Sequence, residues 1–435
     1  YLCYIYKIMS VYNQGSRTQI LDPIIDLENN RVEWRLNPNS CYSSNIRILN
    51  LGLTTTGTKT KYNRLAGALG TVKNIFLMDG QGQTLDQLLD ANKFLGFKMF
   101  NKGHNESRSL SRNLVGNSLG NVMDSDSRLG RVIADKPIGI TQALSGKSML
   151  VLSDALAMLR NTKILPTTIF KELRVVIEFE TRPDKLAQVD NQILRTLPNP
   201  LLVVEEILDS STVSTLTKGF NGVGWLSIER DQNHFSTNLA DDGVAASAAG
   251  KQVVNNKNLL FKGFDNKYLH RILVLTQPTK ATANALADHA VIGGGGLDSI
   301  PLINPAFQFV INGRNKITST GLTRSSEIMD KLTQTWGENS CMTGGNTTTL
   351  FENQTVINTS KDFMARQSYV GISIEEMIQD FSLNLTFTAQ FNNRAATASD
   401  IWLDQYNSPL DIVIFGECRK SIIIGKDGGY IISYN

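Results

Sequence analysis

Residues 44–53 read SNIRILNLGL and residues 268–277 read YLHRILVLTQ. Each sets Arg-Ile-Leu before a further leucine, the look of a half-buried strand. One match of this length carries little. A true repeat shows itself by ordered company, and the chain downstream of each copy supplies it. Residues 74–80, NIFLMDG, are matched by residues 308–313, QFVING. Both are apolar runs closed by Asp-Gly or Asn-Gly, which supply positive φ in tight hairpins, so positive φ is expected at Gly80, Gly313 or both.

Both turns are predicted to lead into helices. Thr84 and Gln87 form a candidate capping box ahead of Leu85, Leu88, Leu89 and Leu95, and Ser325 or Ser326 precedes Ile328, Met329, Leu332 and Trp336. Residues 148–159 then line up with 368–379, each predicted as a short strand turning into a helix at Ser153 or Ser373. Residues 173–180 and 381–388 follow as alternating strands, and Pro200 and Pro409 each open a β-rich run, where a strand tolerates proline. Five matches in one order at a nearly constant offset imply a duplication that superposes Arg47 on Arg271 and Gly80 on Gly313.

The chain of 435 residues is long enough for two domains of roughly 200 residues each. Hydrophobic residues at 41% and charged residues at 19% describe a globular chain, and a net charge of +3 without a basic cluster gives no sign of specific nucleic-acid binding. Cys3, Cys41, Cys341 and Cys418 lie far apart without CxxC spacing, so free thiols in a reducing compartment are expected. The opening YLCYIYKI is too short for a bilayer span and lacks the charged start of a signal peptide, with Met9 a candidate start. No segment reaches about 18 consecutive apolar residues, so no membrane insertion is expected. The sequons at Asn105, Asn346, Asn353, Asn358 and Asn384 read as a consequence of an Asn/Thr-rich composition. From Tyr1 to about Ile20 an apolar start gives way to NQGSRTQ without strand alternation, which reads as an N-terminal arm outside the domains.

Motifs for catalysis are missing. Gly146-Lys147-Ser148 lacks the phosphate-loop glycine, since Thr141 stands at its position, and the run Gly293 to Gly296 has Asp298 where a dinucleotide loop needs glycine. His104, His234, His270 and His289 are isolated, against a metal motif and against a duplicated cupin-type barrel. No GxSxG marks a nucleophile elbow. No catalytic, cofactor-binding or metal residue is therefore assigned, and no cofactor. Trp34, Trp225, Trp336 and Trp402 lie among apolar residues and read as core, not as a sugar platform, while Glu229-Arg230-Asp231 reads as a solvated strand end.

Two β-rich halves with inserted helices and long polar loops suit a tandem β-sandwich. The repeat, and above all residues 165–180, LPTTIFKELRVVIEFE, resembles the double jelly-roll major capsid proteins of the adenovirus, virophage and polinton lineage of DNA viruses, over roughly residues 20–435. The resemblance implies a mainly β fold of two tandem eight-stranded jelly rolls with short inserted helices. The divisions would be 1–20 the arm, 21–210 the first roll and 215–435 the second. It further implies a structural, non-enzymatic protein of the virion, assembled inside the host cell. Three chains would form a homotrimer, a pseudo-hexagonal capsomer that meets neighbouring capsomers, penton and minor capsid proteins in an icosahedral capsid. No long insertion resembles the tall towers of larger relatives, so a low outer surface is expected. A minor capsid, vertex or spike protein and a tandem jelly-roll carbohydrate-binding protein are the alternative readings.

Overall fold

Alternation of apolar and polar residues becomes strand where a partner edge is within reach, and in the computed structural model of the chain those strands stack as two antiparallel sandwiches. The structure describes residues 15–24, 30–51, 61–62, 66–101, 149–181, 187–188, 200–236, 252–278, 297, 299, 302–337, 369–390, 410–425 and 428–434.

The first sandwich runs through β1 (Ser16–Leu21), β2 (Arg31–Leu36), β3 (Cys41–Ser43), β4 (Arg47–Leu49), β5 (Lys61–Tyr62), β6 (Val72–Asp79), β7 (Thr84–Leu88) and helix α1 (Ala91–Asn101). It continues with β8 (Met149–Val151), the short helices α2 (Leu152–Ala155) and α3 (Ala157–Asn161), β9 (Ile164–Pro166), β10 (Leu173–Phe179), β11 (Ala187–Gln188) and β12 (Leu201–Ile207). Helix α4 (Ser210–Gly219) follows, capped by Asp209, whose carboxylate accepts the Thr212 N–H at 2.8 Å. The second sandwich holds β13 (Gly222–Phe235), β14 (Gln252–Leu260), β15 (Tyr268–Pro278), β16 (Ile303–Ile311), β17 (Arg314–Asn315), helix α5 (Ser325–Trp336), β18 (Tyr369–Met377), β19 (Phe381–Gln390), β20 (Leu410–Ile424) and β21 (Tyr430–Ser433).

The two sandwiches are wired alike. In the first, β1 pairs with β12, β12 with β3 and β4, and these with β9 and β8; the facing sheet runs β2-β10-β6-β7. In the second, the sheets run β13-β20-β15-β18, with β21 on β20, and β14-β19-β16-β17. Because β3 with β4 and β8 with β9 each act as one interrupted strand, both halves place their strands in the same order, which makes each an eight-stranded jelly roll. The β5–β11 pair stands apart. Among the described residues all the strand pairs join strands of the same half. Trp34, Tyr42 and Phe170 fill the first core, and Phe261, Phe264, Phe381 and Phe387 the second. Each such side chain contributes about 1.5–3 kcal/mol by leaving water.

The repeat lands where the duplication puts it. Arg47 on β4 and Arg271 on β15 occupy equivalent strands, beside β12 and β20 respectively, and Gly80 and Gly313 stand in the turns directly after the equivalent strands β6 and β16. Gly313 has φ 73° after Asn312 at 51°, as expected of a tight turn. Gly80 does not. Its turn is held instead by Asp79, whose Oδ1 accepts the N–H groups of Gln81 (2.9 Å) and Gln83 (2.6 Å), with Gly82 at φ 85°. What Gly80 provides is closeness: a Cβ there would lie 3.0 Å from the Cβ of Glu172.

Three local expectations are corrected. Residues 84–88, expected to open a helix, form β7 along β6, with Ile75 opposite Leu88; the ladder edge that decides this is supplied from outside the segment. Ser373 starts no helix but lies within the continuous strand β18, opposite Arg271, while Ser153 lies inside α2, whose N-cap is Val151. Ser16–Leu21, expected within the arm, pairs along its whole length with β12, because an edge strand can be mostly exposed and so shows little alternation. Residues 1–14 lie outside the described residues.

Candidate functional site

The functional geometry of this chain is its internal seam, where the first roll covers one face of the second. On β15 and β20, Ile272, Val274, Ile414 and Cys418 point into the roll, so Leu273, Leu275 and Phe415 point out of it; those three are nevertheless 0% exposed. Helices cover them. Phe94 and Phe97, three residues apart and so on one side of α1, place their rings 5.3 Å from Phe415 and 5.1 Å from Tyr369. Both also meet Trp336 of α5 edge-on, at 6.0 and 5.5 Å. Gly371 makes room for that tryptophan, since a Cβ there would come within 2.7 Å of the indole Cδ1. The indole N–H donates to the Ile272 carbonyl at 3.0 Å, and the Asn101 side chain donates to the Trp336 carbonyl at 2.8 Å.

Beside these rings runs a line of buried polar groups. Asp86 of β7 accepts the Met158 N–H at 2.9 Å and the Ser227 hydroxyl of β13 at 3.1 Å. Burial pushes its carboxyl above the usual range, against the pull of the Met158 N–H and the charge of Lys420. Burial likewise lowers Lys420, which lies 5.1 Å from the Tyr434 ring and 5.8 Å from that of Trp225. Glu229 sits 3.5 Å from Lys267 and accepts from the Tyr434 hydroxyl at 3.3 Å. Arg230 reaches across to Asp90 of the first roll at 2.7 Å, and Lys93 approaches the same carboxylate at 3.1 Å. The Tyr430 hydroxyl donates to Asp79, and the Asn161 side chain to the Gly224 carbonyl at 3.0 Å.

This arrangement holds surfaces together; its carboxylates accept from protein donors. The nearby cleft lined by Lys73, Lys93, Arg230, Asp90, Glu180 and Asp411 sets three cations against three carboxylates; Arg230 and Asp90 are already an ion pair, and Asp411 is hydrogen-bonded to the His234 ring at 2.9 Å. Cys41 and Cys418 are buried free thiols, pushed up to about 11 and about 12 by burial, far from the thiolate form. Among the described residues no group of three or more His, Cys, Asp or Glu is arranged to hold a metal ion. Nor, among them, is any helix long and apolar enough to cross a membrane.

The sequence signals fall unevenly on this site. Trp34 and Trp225 are buried, and Trp336 belongs to the seam. Glu229-Arg230-Asp231, expected as a solvated strand end, lies inside the long strand β13, with Glu229 7% exposed and Arg230 paired across the rolls. His234 and His270 stay apart, bound to Asp411 and Glu375 respectively. Cys3, Cys341, His104, His289, Trp402, residues 146–148, residues 293–296 and all sequons except Asn384 lie outside the described residues. Phe94, Phe97, Asp86 and Lys420 carried no motif. Only the aromatic spacing in the helix at 91–101 could have pointed to them.

Fold and seam together define a double jelly-roll protein, two sandwiches of one strand order joined along a covered face. The same fold occurs in viral capsid proteins. The chain superposes on VP54 of PBCV-1, fitted into a reconstruction of the virophage Sputnik, with TM-score 0.51, 11% identity and 97% of both chains covered. For the PBCV-1 virus capsid the values are 0.52, 11% and again 97% of both chains. For the Sputnik virophage structure they are 0.57 and 10%, with 97% of this chain and 89% of that chain covered. No family model and no curated protein matches the sequence. At such identities the likeness is one of fold.

Proposed function

We propose that the chain is the major capsid protein of an icosahedral DNA virus, a structural component of the virion whose activity is enclosure and not turnover. The observation that carries this is the identical strand order of two rolls fixed side by side in one chain. Three such chains present six nearly equivalent rolls, which is what a pseudo-hexagonal tile requires, and a closed ring also covers sheet edges open to aggregation. The coverage of nearly the whole of the PBCV-1 and Sputnik capsid chains supports the same reading.

In this reading the first roll runs from β1 at Ser16 to about residue 210 and the second covers 215–435, α4 lies at their junction, and the segment before β1 is an arm that orders against a neighbouring subunit or a minor capsid protein. The Arg230–Asp90 ion pair and the aromatic contacts between the rolls keep their relative position fixed, as a tile must. Mass measurement of the purified chain followed by imaging under assembly conditions is the test. A homotrimer that tiles is the expected result. A stable monomer, or a small oligomer that binds glycans on an array, would overturn the assignment.

A further inference from the structure

Between the covering helices and the strands they cover, the seam leaves a cavity of about 280 Å³. Its walls come from both rolls. Phe94 and Phe97 of α1 and Ala157 of α3 line it from the first roll, and Leu226 and Ile228 of β13 and Trp336 of α5 from the second. Ile228, Glu417 and Arg271 lie opposite one another across β13, β20 and β15, so one row of that sheet makes a single wall. An apolar cavity of about 150 Å³ already takes a benzene ring, so this space has room for a larger ring system.

The charged groups along the cavity are answered from within the protein. Arg271 donates from two nitrogens to Glu417, at 2.6 and 2.9 Å, and from its third to the Thr335 carbonyl. At the mouth Lys98 donates to the Asp154 carbonyl at 2.6 Å and Arg160 to that of Ser153 at 3.3 Å. One acceptor is not answered. The Asn101 side chain gives an amide N–H to the Trp336 carbonyl at 2.8 Å, which fixes the way the amide points, and its Oδ1 is then buried with no donor among the described residues. A buried oxygen in this position gains from any donor brought to it.

We propose that this cavity is a binding site for a small neutral aromatic molecule carrying one N–H or O–H donor, an indole or a phenol by class. The rings of Phe94, Phe97 and Trp336 offer edge and face contacts to a further ring, with Leu226, Ile228 and Ala157 as aliphatic wall. Arg271 and Glu417 neutralise each other, so a charged head gains nothing there. Asn101 Oδ1 takes the donor. Such a ligand touches both rolls at once and strengthens the contact between them. The inference concerns the seam of one chain and stands independently of the assembly reading above.

The test titrates the full-length chain with indole and with 1-methylindole, in which a methyl replaces the N–H, by calorimetry and ligand-observed NMR. Indole should bind at a single site with a Kd on the order of 1 mM or tighter and raise the thermal midpoint. Loss of the donor should make 1-methylindole about fivefold weaker. Asn101→Leu should erase that difference between the two ligands, a pattern that general damage to the fold does not produce. Ala157→Phe, which sets a ring in the space, should abolish binding of both while keeping the parent's circular dichroism. Absence of saturable indole binding to the folded parent would overturn the inference. Equal affinities of the two ligands for the parent would overturn it as well, as would indole binding that Asn101→Leu leaves unchanged, because the ligand then does not meet Asn101. If Ala157→Phe does not fold, the paired titrations of the parent and Asn101→Leu decide alone.

Discussion

Arg47 and Arg271 stand at equivalent places in two rolls of one design, and their surroundings differ more than their sequences do. Arg271 is held by a two-point pair to a Glu417 side chain that is 7% exposed and is roofed by Trp336; Arg47 pairs through one nitrogen with Glu205, which is 26% exposed. Their neighbours differ in the same sense: Leu273 and Phe415 are 0% exposed beneath the rings of α1 and α5, whereas Leu49 and Leu201 are half-buried. The lesson is that the repeated strand specifies a place in a sheet, and that the neighbouring roll decides whether that place is core or surface.

The comparison breaks most visibly at the roof. Phe94→Ala removes a ring that touches Phe415, Phe97 and Trp336 and should cost about 3–5 kcal/mol in chemical denaturation. It should also uncouple the rolls, so that one unfolding transition becomes two. A single transition with a loss near 1 kcal/mol would mean that α1 does not hold the seam.

The arginines themselves sharpen the contrast. Arg271→Ala strands a buried Glu417 and should cost about 3 kcal/mol. Arg47→Ala, at a more exposed pair, should cost about 0–1 kcal/mol in the unassembled chain. Equal losses would erase the difference drawn between the two faces.

The two turns offer a smaller test. Gly313→Ala forces a Cβ into φ 73° and should cost about 1 kcal/mol. Gly313→Asn should recover most of that loss, because asparagine tolerates the left-handed region. At Gly80 the obstacle is the Glu172 backbone and Cβ, so alanine and asparagine should be equally harmful. Rescue by asparagine at Gly80 would show that the two turns are alike after all.

The last effect is read as a trend with pH. A carboxyl raised in the folded chain, as Asp86 is, contributes stability that is full below the unfolded value of about 3.9 and is lost as pH rises through the folded value. Asp86→Asn removes that titration, so the advantage of the parent over the variant in denaturant should be larger at pH 4 than at pH 7. The reverse slope would mean that the pull of Lys420 and the hydrogen bonds outweighs burial.

The duplication was legible because it needs only local pattern. Strand alternation around Arg47 and Arg271, the closure of both runs at Gly80 and Gly313, and the proline-led last strands depend on which residues a pleated strand buries, and that is written within ten residues. From them came the tandem sandwich and the strand equivalences. What misled was also local: Thr84–Leu88 and the stretch around Ser373 carry helix-compatible residues, but each lies against a ready ladder edge, supplied in one case by the preceding strand β6 across a tight turn and in the other by β15, distant in the chain. The polar part of the seam could not be read, and of its rings only the core character of Trp336 was. Asp86, Phe94, Glu229, Arg230 and Lys420 acquire their roles only when one roll lies on the other, since burial of a charge and the stacking of rings are properties of two surfaces at once.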